Sequence, residues 1–314
     1  MSDTDVISWL LESRIPSIRY QTLTDLLDVL PDDARAVQAR LAIRRHGPVP
    51  AMLRGQARAG HWEGERSYYT PKYTSTHWRL LLLTELGVDG WTPAFRRGVE
   101  YMLAATASEM EQRLARHSGG MACLWGNLLR YALHAGQAGD ARVGNVLRYL
   151  ALELQEGCRC DINYGYPCAW GVARGLWGLA ALGHRRDQQA RRAIRQGVTF
   201  LLESHHLDRV DFPVPDKCRV SSLWFKLNFP LFYQADLLFT LRVLGELDCL
   251  RHPRAQAALD WLEERRRPNG RWPGASPYGG RTWQEIGGAD ETRRWVTLQA
   301  MRVLRQAGRP DDGR

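Results

Sequence analysis

Lysine is almost missing from this chain. Of 43 basic residues in 314, only Lys72, Lys217 and Lys226 are lysine, so forty are arginine. Arginine can signal phosphate recognition, because its planar fork grips oxyanions bidentately. It also populates solvated helix faces, and pairs such as Arg96–Arg97, Arg185–Arg186 and Arg191–Arg192 fall at such positions. That reading keeps nucleic acid off the expected partners, although a net charge of +9 admits an acidic or phosphorylated small molecule. Strand signals are equally scarce. Apolar residues recur at three- and four-residue spacing rather than in alternation, which points to an all-α protein. No apolar run reaches the ~18 residues a membrane helix needs. The N-terminus, Met1-Ser-Asp-Thr-Asp5, is acidic and has no apolar h-region, so no secretory signal is read there. A cytoplasmic protein is expected, in which thiols stay reduced. The six cysteines, at 123, 158, 160, 168, 218 and 249, then form no disulfide scaffold.

What is present is a rhythm. Short helices are expected over 6–12, 17–27 and 32–45, then a break at Gly47-Pro-Val-Pro50 and a short helix over 51–58. From there, helices with a single apolar stripe alternate with helices apolar most of the way round. The segment 140–155 is striped through Val143, Val146, Leu147, Leu150 and Leu154. The broadly apolar helices start near residues 17, 76, 123, 168, 230 and 292. A one-striped helix belongs on an outer layer, and one apolar all round is buried on both sides. The alternation therefore predicts two concentric layers of helices built from a repeat with variable loops. Cys123-x-Trp125-Gly126 and Cys168-x-Trp170-Gly171 echo each other one step apart, as do Gly60-His-Trp62 and Gly270-Arg-Trp272. The long loop 204–229 is expected to pack over one end, because Trp224, Phe225 and Phe229 need burial.

The string Gln56-x3-Gly60-x-Trp62, with Arg266, Gly270 and Trp272 as a partial copy, resembles the punctuation of the prenyltransferase and squalene–hopene cyclase repeat family. The likeness covers roughly residues 50–306 and implies an (α/α)6 toroid, terpenoid-cyclase-like, whose inner helices line a cavity that often holds isoprenoid chains. It also implies that Gln56, Trp62 and Trp272 stitch outer helices together rather than act on a substrate. Residues 1–46 resemble a HEAT-type hairpin instead. The expected organisation is an N-terminal hairpin over 1–46 packing on the toroid, a toroid over 47–306 and a disordered tail over 307–314. The chain lacks the Asp-x-Asp-Asp acid of class II terpene cyclases and the Asp-Asp-x-x-Asp string of ionising synthases.

In a toroid the inner-helix N-termini face one mouth, where their dipoles favour an anion. Lys72, Tyr73, His77, Trp78, Arg79, Trp125, Asn127, Cys168, Trp170, Arg174, Phe232, Tyr233, Arg294 and Trp295 are expected there. Aromatics with a few charges suit an apolar ligand with a polar head; the same rings could simply fill the ring of helices. Asp236, inside the apolar run 232–239, is the candidate acid, since burial would raise its pKa; it could instead pair with Arg174, Arg79 or Arg294. Glu285 is a second candidate acid. No cofactor is required, with zinc as an alternative: Cys158, Cys160, Cys168, His205 and His206 offer thiolate and imidazole, though Cys-x-Cys is not the common zinc spacing. Three functions follow: a terpenoid-cyclase-like protein binding an isoprenoid or other apolar molecule with acid–base or carbocation chemistry, a non-catalytic helical scaffold for an acidic partner, or a zinc-dependent thiol prenyltransferase.

Overall fold

The computed structural model describes residues 3–64, 67–116, 119–284, 286 and 288–309. Among them there is no β-strand, only two isolated bridges, Arg159 with Pro167 and Asn228 with Ala275. The chain is all-helical, and among the described residues no helix is long and apolar enough to cross a membrane.

Five helices are buried nearly all round: α5 (Thr76–Glu85), α7 (Ala122–His134), α9 (Ala169–Ala180), α11 (Leu237–Glu246) and α13 (Ala289–Gln306). Four others bury one stripe: α6 (Pro93–Arg116), α8 (Ala141–Glu153), α10 (Gln188–Thr199) and α12 (Gln256–Glu264). The two classes are the ones the periodicity predicts. α5 packs on α7, α7 on α9, α9 on α11, and α11 on α13. α13 then packs on α2 (Pro16–Gln21) and on the π-helical turn Thr22–Leu26 that continues it. The Ser17 hydroxyl donates to the carbonyl of Leu86, just past α5, at 2.6 Å. α2 also packs on α3 (Ala34–Ile43). Residues before 46 pack on the rest of the chain. Arg14 N–H donates to Glu291 at 2.9 Å and α1 (Asp3–Leu11) lies against α13.

The inner helices approach most closely at α7 and α9. A Cβ on Gly126 would stand 2.2 Å from the carbonyl oxygen of Arg174, and one on Gly178 would stand 2.5 Å from that of Gly126. Gly171, the sequence echo of Gly126, does something else: it faces Cys158.

The Gly-x-Trp echoes are structural counterparts. Gln56 Nε2 donates to Gly60 O at 2.9 Å and to Ala94 O, after the start of α6, at 2.7 Å. Trp62 N–H donates to the Thr76 hydroxyl at the start of α5. In the second copy Arg266 Nε donates to Gly270 O at 3.3 Å, and Trp272 N–H donates to Thr297 Oγ1 on α13 at 3.0 Å. Gly60 has φ +101°, and a Cβ there would meet Arg97 O at 2.4 Å, so only glycine fits.

Several boundaries need correction. α4 (Pro48–Leu53) starts inside the expected break, because its prolines sit in the first turn, where no N–H is required. The segment 231–236 is not helical, and α11 begins only at Leu237. The loop 204–229 does pack inward: Trp224 is fully buried and its indole donates to Leu207 O at 2.9 Å. Phe225, however, stays 37% exposed, its ring against Trp261. Within the expected tail, the Arg309 guanidinium pairs with Asp260 and Glu263 at 2.5 and 2.6 Å. Residues 310–314 lie outside the described residues.

Candidate functional site

The expected mouth residues divide. One group converges at the start of the inner helices. Tyr73 lies 4.6 Å from Phe232 and 4.5 Å from Tyr278, centroid to centroid, and also against Trp78. Tyr233 reaches Trp78 and Trp170, and the Lys72 ammonium sits over the rings of Tyr69 and Tyr233 at 5.9 and 5.4 Å. These rings touch one another. Beneath them, His77 is fully buried with Nδ1 3.2 Å from the Tyr131 hydroxyl and no partner at Nε2. Burial first, then the Arg174 charge, holds its pKa down at about 3.

A second group is aimed elsewhere. Arg79 donates to Met52 O and pairs with Glu63 at 2.8 Å. Trp125 faces Tyr149 of the outer layer, and Arg294 pairs with Asp290 and covers Trp9. Trp295 stacks on Phe229 at 4.2 Å. These four side chains complete the wall and reach no common site. Helical side chains spread round the whole circumference, so position near a helix start does not decide direction.

Arg174 is the centre of the molecule. It is wholly buried, donates twice to Gln234 O at 2.7 and 3.0 Å, reaches Asn127 Oδ1 at 3.4 Å and lies 3.9 Å above the Phe239 ring. Asn127 Nδ2 in turn donates to Phe232 O. Arg174 therefore does not pair with Asp236, one of the partners expected for that acid. Asp236 is the N-cap of α11 and accepts from Phe239 N at 2.7 Å, Asn228 N at 2.6 Å and Asn228 Nδ2 at 3.0 Å. Burial pushes its pKa up to about 6 against those bonds. Its oxygens are occupied in tying the loop to the helix. Glu285 lies outside the described residues.

The zinc ligand set does not assemble. Among the described residues no three His, Cys, Asp or Glu side chains group to hold a metal. His205 Nδ1 faces Asp211 O, and His206 Nδ1 bonds the Asp211 carboxylate at 2.7 Å. Both organise their own loop. Cys160 and Cys168 lie on one hairpin between α8 and α9, closed by the Arg159–Pro167 bridge, and both are free thiols.

The other end of the inner helices differs, and no residue expected at a site lies there. A pocket of about 370 Å³ opens at this end, lined by Gln21 and Asp25, Glu85 of α5, Arg130 of α7, Trp177 of α9, Arg242 and Glu246 of α11 and Arg302 of α13. All six inner elements contribute. Arg130 pairs with Glu246 at 2.5 Å and covers Trp177; Arg302 pairs with Asp25 at 2.9 Å. Arg242 and Glu85 are held more loosely, at 3.4 and 3.5 Å. Guanidinium groups belong at this end, where helix C-termini carry partial negative charge. A larger groove, about 700 Å³, lies along α10 and the end of α8 and includes Arg192, Arg195 and Phe200, but no inner helix lines it.

Comparison with protein-family models, curated proteins and solved structures gives no match.

Proposed function

We propose that this chain is an α/α toroid of six helical hairpins that binds a small molecule bearing both an anionic and a cationic group. The toroid reading rests on the contact order, in which each inner element touches the next and the last touches the first. The observation that carries the binding reading is the polar pocket to which all six inner elements contribute. Its volume falls in the range of small-ligand sites, roughly 300–1,000 Å³. Bonds of 3.4–3.5 Å leave the Arg242 and Glu85 groups under-used, so an incoming carboxylate or phosphate and an incoming cation each gain a partner. The reading is one of binding, and no chemical step is assigned to the pocket.

The test is ligand-induced thermal stabilisation with L-arginine, L-glutamate, glycerol phosphate and geranyl diphosphate as probes. Saturable stabilisation by a charged probe, lost in Arg242→Met and Glu85→Gln, supports the reading. No response to any charged probe overturns it. A second reading keeps an isoprenoid-type ligand at the aromatic end, favoured by Lys72 lying over two tyrosine rings. Stabilisation by geranyl diphosphate that survives Arg242→Met and is lost in Lys72→Met would favour that alternative.

A further inference from the structure

The polar pocket where the inner helices end is charge-balanced. Its lining carries three guanidinium groups, on Arg130, Arg242 and Arg302, and three carboxylates, on Asp25, Glu85 and Glu246. All six side chains are partly withdrawn from water, at 6–32% exposure. A ligand of net charge would leave one ion there uncompensated, which is costly away from bulk water; a zwitterion would not.

The three acid–base pairs are not equally closed. Arg130 grips Glu246 at 2.5 and 3.2 Å and also donates to Trp177 O at 3.3 Å. Arg302 holds Asp25 at 2.9 Å and donates to Gln21 and Gln299 at 3.1 and 2.8 Å. Arg242 and Glu85 differ. They meet side-on, Nη1 to Oε2 at 3.5 Å and Nη2 to Oε1 at 3.4 Å, and among the described residues neither side chain makes another hydrogen bond. Charge-assisted bonds settle at about 2.7–2.9 Å. This pair therefore keeps donors and lone pairs to spare, since a guanidinium offers five N–H groups and a carboxylate about four acceptor sites.

On the reading that this pocket binds a ligand, we propose that the ligand is a free α-amino acid, its carboxylate on Arg242 and its ammonium on Glu85. Spacing decides the class. In an α-amino acid the ammonium nitrogen lies about 2.7–3.6 Å from the carboxylate oxygens. Arg242 and Glu85 present their opposite charges at 3.4–3.5 Å, so the two dipoles match edge to edge. Each ligand charge then lies beside its opposite, and like charges fall on the longer diagonals, where repulsion is weaker. Glu85 is the last residue of α5, and Thr84 and Gly87 beside it also line the pocket. The ammonium thus sits at a helix C-terminus, where partial negative charge gathers. Each added methylene widens a ligand's charge separation by roughly 1.3 Å when extended. A longer amino acid must fold back to fit and loses conformational freedom in doing so. The pocket, at about 370 Å³, leaves room for a side chain beyond the head group, and with the other two pairs closed on themselves an uncharged one adds no unpaired ion.

Isothermal titration calorimetry on the full chain at neutral pH tests this with glycine, L-serine, L-methionine and L-glutamine, with 5-aminopentanoate as a wider zwitterion and with glycerol phosphate. At least one of the four α-amino acids should bind saturably. Its N-acetyl form, its decarboxylated form and 5-aminopentanoate should each bind at least about tenfold more weakly, since each loses or strains a charge-assisted bond. Arg242→Met and Glu85→Gln should weaken the amino acid to a similar degree, whereas Arg192→Met in the α10 groove should leave it unchanged. The ligand series is read on the unaltered protein, so it stands whether or not a variant folds. Saturable binding by 5-aminopentanoate or glycerol phosphate equal to or tighter than by every α-amino acid, and lost in Arg242→Met, overturns the α-amino acid and leaves the pocket as a binding site. Undiminished binding in folded Arg242→Met or Glu85→Gln overturns the assignment of the head group to this pair. Silence from every probe removes both the ligand class and the binding reading.

Discussion

The same substitution, glycine to alanine in a helix, should have opposite effects at two positions. Gly144 lies on the exposed side of α8, and a Cβ there would have nothing within 4 Å. Alanine at this position gains helix propensity, worth about 0.8–1.0 kcal/mol. Gly126 lies at the α7–α9 crossing, where a Cβ would stand 2.2 Å from Arg174 O, 2.5 Å from Arg174 C and 2.7 Å from Gly175 N. All three are backbone atoms, so no rotamer change relieves the contact. The helices must separate by roughly 1 Å, and Arg174, whose donors are fixed on Gln234 O at 2.7 and 3.0 Å, must move with α9. Overpacking of this kind costs about 1–3 kcal/mol, more than the propensity gained. In a domain this large, 1 kcal/mol moves Tm by roughly 2–4 °C. Thermal unfolding followed by circular dichroism should therefore place G144A above the parent by a few degrees and G126A below it by several. A G126A protein melting at or above the parent temperature would refute the backbone-close crossing.

Further predictions rest on the buried titratable groups and on the Gly-x-Trp units. His77 has a folded pKa of about 3 against an ordinary 6.5, so the unfolded chain takes up its proton first and stability falls as pH drops below about 6.5. The slope approaches 1.4 kcal/mol per pH unit between about 6 and 4, and a His77→Leu variant measured by urea unfolding should lose that slope. Asp236 works in the other direction: its folded pKa, raised from 3.8 to about 6, favours the protonated folded form, so its contribution declines as pH rises from 4 to 6. Asp236→Asn removes this term but turns an amide N–H toward the Asn228 donors, and should cost about 1–3 kcal/mol at pH 7, read by urea unfolding. Gly60→Ala, with φ +101° and Arg97 O at 2.4 Å, should lower Tm by several degrees, whereas Gly55→Ala, which meets nothing within 4 Å, should cost only its left-handed strain of about 1–2 kcal/mol.

Layering was readable from the chain because burial imposes a period. A one-striped α8 and an all-apolar α9 differ in their residues before any contact is known. The Gln56–Gly60–Trp62 unit was readable because glycine at a positive φ and tryptophan in a lid have few substitutes. Direction was not readable. Trp78 and Trp125 occupy similar places in their helices, yet one meets Tyr73 and Phe232 and the other meets Tyr149 of the outer layer. Nor could the sequence expose that Phe232 to Asp236 is non-helical: an apolar run of this length suits a helix or a buried loop, and the choice is made by the Asp236 cap and the Asn228 bonds. The polar pocket escaped for a different reason. Glu85, Arg130, Arg242 and Arg302 lie far apart in sequence, each an ordinary charge on its own helix, and only the packing of those helices brings them together.

The two ends of the inner helices are not independent, because Arg174 stands between them. Its charge is felt at Glu85 on the polar side and at Asp236 and His77 on the aromatic side. Burial alone would expel such a charge, and it pulls the Arg174 pKa down to about 10. The group nevertheless stays cationic at neutral pH, held by Gln234 O, Asn127 and the Phe239 face. A buried cation so close to His77 requires that histidine to remain neutral, and a neutral His77 can share its Nδ1 with the Tyr131 hydroxyl without leaving a second buried charge. On the polar side Glu85 is buried to 6% side-chain exposure, with Arg242 at 3.4 Å. One end of these helices thus carries a polar pocket with loosely paired charges, while the other is closed by rings.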